Sequence, residues 1–178
     1  MLIQVLAGVV GVPVYFLTKA ACHVANLGRV CRRLDADIVS LMQEHLPELD
    51  YHRVRCVYGA SLPANWFKSL GGAKRLTADG MTFGNTIFLR RSVEHGLRAP
   101  LPAGSASVID RATLALLLHE LVHVDQVRRF GGEIAFAYRY ALGFLSARGY
   151  RTNPLETEAY DLVARCAASL PKQLPDTN

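Results

Sequence analysis

Residues 117–126 read LLHELVHVDQ, an apolar run interrupted by two histidines and a glutamate. His119 and His123 stand four apart. On a helix that spacing puts both imidazoles on one face, a turn apart and within reach of one metal ion. Glu120 projects about 100° round from His119, beside such an ion rather than on it. A carboxylate there can take a proton from a metal-bound water and deliver it to a leaving amine. Leu116, Leu117, Leu118, Leu121 and Val122 bury the trio. Three such polar groups buried without partners would be costly, and a metal relieves that cost.

A zinc site of catalytic type needs a third protein ligand and an open fourth position. The extended pattern HExxHxxGxxH is absent, because Gln126 and Arg129 occupy its glycine and histidine places. The segment after Pro154 offers Glu156 and Glu158, which project about 200° apart on a helix and cannot both face one site. Glu156 shares its face with Ala159, Tyr160, Val163 and Ala167, mostly apolar, so it is the expected ligand. Glu158 shares its face with Asp161, Leu162, Arg165 and Ser169, a solvated surface, and is the reserve.

The elements that position these residues follow from periodicity and punctuation. Residues 24–46 place Leu27, Val30, Leu34, Ile38, Leu41 and Met42 at helical spacing, which predicts an amphipathic helix stopped before Pro47. RVRCVYG at 53–59 and MTFGNTIFLR at 81–90 read as strands, the second interrupted at Gly84–Asn85, either a turn or a bulge. Pro63, Gly71 and Gly72 mark loops around a short segment with Trp66. From Asp110, a fitting N-cap, a helix is expected to run to Gly131–Gly132. A second follows over roughly Glu133–Ser146. A third opens on Asn153 as cap with Pro154 in its first turn, and ends before Pro171. Helix, then strands, then helices: the order predicts an α+β domain rather than a parallel βαβ fold.

The chain of 178 residues carries a net charge of +5. Its basic residues fall in scattered pairs such as Arg32–Arg33, Arg90–Arg91 and Arg128–Arg129, which does not make the gathered face that nucleic acid requires. The four cysteines (Cys22, Cys31, Cys56, Cys166) show no CxxC spacing, so small buried side chains are the expectation, with a disulfide left open. His23, His45 and His52 have no ligand spacing. The first eighteen residues carry no charge at all, and Lys19 is the only charged residue before Arg29. They lack the basic start and the A-x-A site of a secretory signal. Two readings stand for residues 1–26, a membrane anchor with membrane contact through residues 1–18, or a buried helix interrupted near Gly11–Pro13. As an anchor, Lys19, Arg29, Arg32 and Arg33 would leave residues 27–178, a single domain, on the cytoplasmic side. As a buried helix it belongs to a soluble cytoplasmic protein.

His119-Glu120-x-x-His123 with the later Glu156-x-x-Ala159 resembles the gluzincin metallopeptidases, in which a glutamate on a separate helix completes a two-histidine site. TADGMTFGNTIFLRR followed by LLLHELVHVDQ is similar to the DUF4157 family, a bacterial metallopeptidase domain found among proteins linked to extracellular contractile injection systems. The likeness rests on Thr82, Phe83, Gly84, Ile87 and the 119–126 run with Gln126, and it leaves out the first fifty residues. It implies a zincin-like metallopeptidase fold, with a small, mostly antiparallel sheet packed on the active-site helix and further C-terminal helices. It also implies zinc (Zn2+) on His119, His123 and Glu156, Glu120 as base, and a peptide or protein substrate. The 81–90 strand would form the rim of the cleft, where an extended peptide pairs with its edge. In related gluzincins an aspartate four residues after the glutamate ligand supports a zinc histidine. Here Tyr160 takes that place, with Asp161 one further on. His95, Tyr138, Tyr140 and Tyr160 are the candidates for stabilising an oxyanion. The alternative function is a metal-stapled, non-catalytic protein-binding domain of a toxin or injection system.

Overall fold

Helix α3 (Arg111–Arg129) carries both histidines through the middle of the molecule, and almost every side chain from Thr113 to Val127 is buried. The helix is enclosed because apolar residues recur on all its sides, not on one stripe. A computed structural model describes residues 2–62, 79–90, 108–147, 150–171 and 173–175. The other elements are α1 (Leu2–Ala25), β1 (Cys31–Arg32), α2 (Ala36–Gln43), β2 (Arg55–Ala60), β3 (Gly80–Phe83), β4 (Thr86–Arg90), β5 (Val108–Asp110), α4 (Glu133–Ser146), α5 (Pro154–Cys166) and β6 (Gln173–Pro175). A single 3-10 turn, Tyr51–Arg53, precedes β2. The segment around Trp66 and its flanking Pro63, Gly71 and Gly72, and likewise His95, lie outside the described residues.

The fold is α+β, with a four-stranded sheet in the order β1-β2-β4-β3. The two outer pairings are antiparallel and the central one, β2 with β4, is parallel, so the sheet is mixed. The single strand expected over 81–90 is a hairpin. Gly84 adopts φ +60°, which only glycine reaches without strain, and the chain reverses there, so that Phe83 pairs with Thr86.

Alternation along the strands sorts two cores. Cys56, Ile87 and Leu89 face α3 together with Ile38, Met42, Leu114, Leu118 and Leu121. Val57, Phe83 and Phe88 face the other way, onto Cys22 and Tyr15 of α1. The sheet is thus covered on one side by α3 and on the other by α1. Each fully buried leucine on α3 contributes roughly 1.5–3 kcal/mol, so replacing Leu118 by alanine would cost about 2–5 kcal/mol.

The helix expected over 24–46 is two elements with a short strand between them. Buried Asn26 stops α1 by donating to Cys22 O (2.7 Å) and to Ser61 O (3.0 Å) and accepting from Ser61 N (2.8 Å). Gly28 then turns with φ +81°, and Cys31–Arg32 pair with β2. Leu34, Ile38 and Met42 are buried as the spacing requires, whereas Leu27 and Val30 are exposed. The expected interruption near Gly11–Pro13 is a π-turn over Ala7–Gly11 inside a continuous helix. Widening the helix there accommodates Pro13, whose ring would otherwise meet the carbonyl four residues back. Asp110, expected as a cap only, also closes β5, which pairs with β6 in a second small sheet. All four cysteines are free, and Cys31 is exposed rather than buried.

Candidate metal centre

Three elements meet at the histidines. His119 and His123 come from the middle of α3. Glu156 comes from the first turn of α5, fixed by the Asn153 side chain, which accepts from Leu155 N at 3.2 Å, and by Pro154. Helix α4 closes a third side with Phe136 and Tyr140, both packed edge-on to the His123 ring. Gly131 (φ +80°) and Gly132 (φ +129°) make the tight turn that folds α4 back from the end of α3.

His119, His123 and Glu156 are all buried, and their ligand atoms lie within 4.8 Å of one another, a group that could hold a metal ion. The two Nε2 atoms are 3.2 Å apart, His119 Nε2 is 3.2 Å from Glu156 Oε2, and His123 Nε2 is 3.4 Å from Glu156 Oε1. Ligand atoms each about 2.0–2.1 Å from a tetrahedral ion are separated by about 3.3 Å, so the triangle fits a small divalent cation. One acceptor is left over: Glu156 Oε2 is buried and has no hydrogen-bond donor, the single such atom among the described residues. A buried carboxylate oxygen of that kind costs free energy until a proton or a cation meets it.

The charges agree. Burial alone would raise the Glu156 pKa, but the adjoining His119 and His123 rings and the Tyr140 hydroxyl overcome it and hold the carboxyl well below the usual carboxylate range. Burial alone would lower His123, yet Glu156 draws it up to about 9. Both shifts reflect the attraction between the carboxylate and the imidazole across the triangle.

Gln126 sets the tautomer. Its Nε2 donates to Leu155 O (2.9 Å) and to Glu158 Oε2 (3.0 Å), which leaves its Oε1 to accept from His123 Nδ1 at 2.8 Å. With a proton held on Nδ1 by Gln126, Nε2 is the nitrogen that gives up its proton to a cation entering the cluster. Glu158, the reserve ligand, is not in the cluster and is bound instead by Gln126 and Arg129. Arg129 also pairs with Asp125 at 2.8 Å within α3, and its bond to Glu158 ties α3 to α5 just beyond the site.

Glu120 lies beside the triangle, not in it. Its Oε2 accepts from the Thr82 hydroxyl of β3 at 2.7 Å, and Thr82 also reaches Glu120 O at 3.2 Å. Desolvation raises its pKa, against the pull of His123 and His119. The β3 backbone crosses so close that a Cβ at Gly80 would sit 2.6 Å from Glu120 Oε1. Strand β3 is an edge of the four-stranded sheet and lies beside α3.

The tyrosines divide. Tyr140 donates to Glu156 Oε1 at 2.6 Å, and burial followed by that carboxylate raises its own pKa far above the ordinary range. Tyr150 feels the same carboxylate: burial and then the Glu156 charge raise its pKa far above the ordinary range. The Tyr160 ring tilts against the His119 ring at 4.6 Å and is 43% exposed, so it packs against that histidine. Tyr138 turns away, toward Gly8 of α1. Sequence reasoning overlooked Gln126 as a support and Tyr150 altogether. The signal for Gln126 was a buried amide three residues past a ligand on the same helix. Tyr150 sits in a loop and carried none.

Comparison with known proteins returns no matching family model, no similar curated protein and no similar solved structure.

Proposed function

We propose that this chain is a zinc-dependent peptidase of the gluzincin kind, akin to the DUF4157 domains, with a peptide or protein as substrate. The observation that carries the proposal is the placement of Glu120. A structural staple needs its ligands and no further buried acid, whereas Glu120 is a buried carboxyl that stands next to the ligand set without joining it.

Two imidazoles and a carboxylate suit zinc, which when bound supplies polarisation of a carbonyl and a water acidic enough to attack near neutral pH. His119 Nε2, His123 Nε2 and Glu156 would hold it. Thr82 fixes Glu120 through Oε2 and so leaves Oε1 to take a proton from the attacking water and return it to the departing amine. The raised pKa of Glu120, caused by burial, keeps the protonated form accessible for that second transfer. The outer edge of β3, which among the described strands pairs with β4 only, would receive an extended peptide.

Glu120→Gln preserves shape and the Thr82 contact and removes the base. Cleavage of a mixed peptide library, followed by mass spectrometry, falls by about 10²–10⁴-fold while zinc content stays at one per chain. Equal cleavage by the variant would overturn the peptidase mechanism and leave a metal-stapled binding domain.

A further inference from the structure

Helix α1 presents two unlike faces. Inward, it is fastened to the rest of the molecule from Gly8 to Asn26. A Cβ at Gly11 would collide with Ala141 Cβ, so α1 and α4 approach with no room for a side chain between them there. Tyr15 packs against Phe83 and Phe136, its hydroxyl accepts from Gly84 N at 3.3 Å, and Lys19 Nζ pairs with Glu133 at 2.6 Å. Cys22 is fully buried on the sheet. Outward, Leu2, Leu6, Val9, Val10, Leu17 and Val24 are 40–71% exposed. Ile134 of α4, beside this helix, is 67% exposed.

By length and composition α1 is apolar enough to cross a membrane, with 24 residues and a mean hydropathy of 1.7. Spanning would surround it with lipid. That would strip off the sheet, the Lys19–Glu133 pair and the α4 contact along most of its length. A helix docked along its length can meet lipid only with its free face. The charges at its end fit one kind of surface. No acidic residue precedes Asp35, Lys19 is committed to Glu133, and Arg29, Arg32 and Arg33 are exposed just beyond the helix, with Leu27 and Val30 exposed among them.

We infer that α1 is an in-plane anchor on an anionic lipid bilayer, its outward apolar stripe among the acyl chains and the three arginines among the headgroups. Helix α4, whose other face supplies Phe136 and Tyr140 to the metal centre, then lies between that centre and the lipid surface. The inference stands on α1 and is independent of what the metal centre does.

The test is flotation of the purified full chain with vesicles of phosphatidylcholine alone or with one quarter phosphatidylglycerol. The protein floats with the anionic vesicles and is released by alkaline carbonate. Each of Arg29→Ala, Arg32→Ala and Arg33→Ala lowers partitioning roughly fivefold, the loss expected per basic residue near such a surface. Val9→Asp with Leu17→Asp, both at exposed positions, abolishes flotation while circular dichroism is unchanged. Raising ionic strength on the unaltered chain weakens binding and tests the same charges without any variant. Failure to float overturns the inference. So does resistance to carbonate with α1 protected from protease, which would mean a spanning helix. So does self-association without vesicle binding, which would make a second copy the occupant of the face.

Discussion

Replacing Gln126 tests how the metal centre is held, because this fully buried amide touches a ligand, a backbone carbonyl and Glu158 at once. Gln126→Leu keeps the volume and removes all three bonds. His123 Nδ1–H is then left buried and unpaired, at about 1–3 kcal/mol, whereas Leu155 O keeps its bond within α5. Glu158 is 43% exposed and is re-solvated at little cost. The added apolar burial returns about 1.5–2 kcal/mol, so the stability of the metal-free protein changes by no more than about 1.5 kcal/mol. Zinc affinity falls by about 10–100-fold, or about 1.4–2.7 kcal/mol, because His123 is no longer fixed in the tautomer and orientation that aim Nε2 inward. Gln126→Glu separates the two effects. It retains the acceptor for His123 but sets a carboxylate against Leu155 O and Glu158, so stability falls while affinity holds. Competition against a chromogenic chelator gives the affinities, and thermal unfolding with and without zinc gives the stabilities. If Gln126→Leu binds zinc within about threefold of the parent, or Gln126→Glu loses as much affinity as Gln126→Leu, the orienting role is refuted.

Two further outcomes follow from close approaches and burial. Gly80→Ala places a methyl against the Glu120 carboxylate, the movable end of its side chain, so the fold and the zinc content persist while peptide cleavage drops about 100-fold; a rate within a few-fold of the parent would show that Glu120 does not need that position. Iodoacetamide at pH 7.5 labels exposed Cys31 first, because burial pushes Cys22 up to about 11 and Cys56 up to about 12 and keeps both as thiols; labelling of Cys56 in the folded protein at the rate of Cys31 would contradict the packing.

The metal triangle was largely legible before any coordinates. Four-residue spacing on a helix is a local property of the chain, so His119 and His123 had to share a face wherever that helix lay. The Asn153–Pro154 start fixed the phase of the last helix, and the phase separated Glu156 from Glu158. What lies across from each face is not local. Residues 24–46 keep a helical period, but Asn26 finds Ser61 and Cys31 finds β2, and those long-range bonds outweigh the period. The hairpin at Gly84 is another such case, because its two strands pair differently among the described residues: β4 with β2 and β3, but β3 with β4 only.

The sequence alone singled out the three residues that the structure gathers into a group able to hold a metal ion, and it showed that the first helix is apolar. Each of these depends on side-chain type and on helical spacing over a few residues. Only the tertiary structure decided what supports them. Gln126 orients His123 because Leu155 and Glu158 arrive from 29 and 32 residues away, and Glu120 is fixed because Thr82 and Gly80 come from a strand 38–40 residues earlier in the chain. Likewise, hydropathy could not choose among the fates of α1. Burial on one face and exposure on the other could, because the side turned to the sheet is already taken and the side left free is the one that must find a partner.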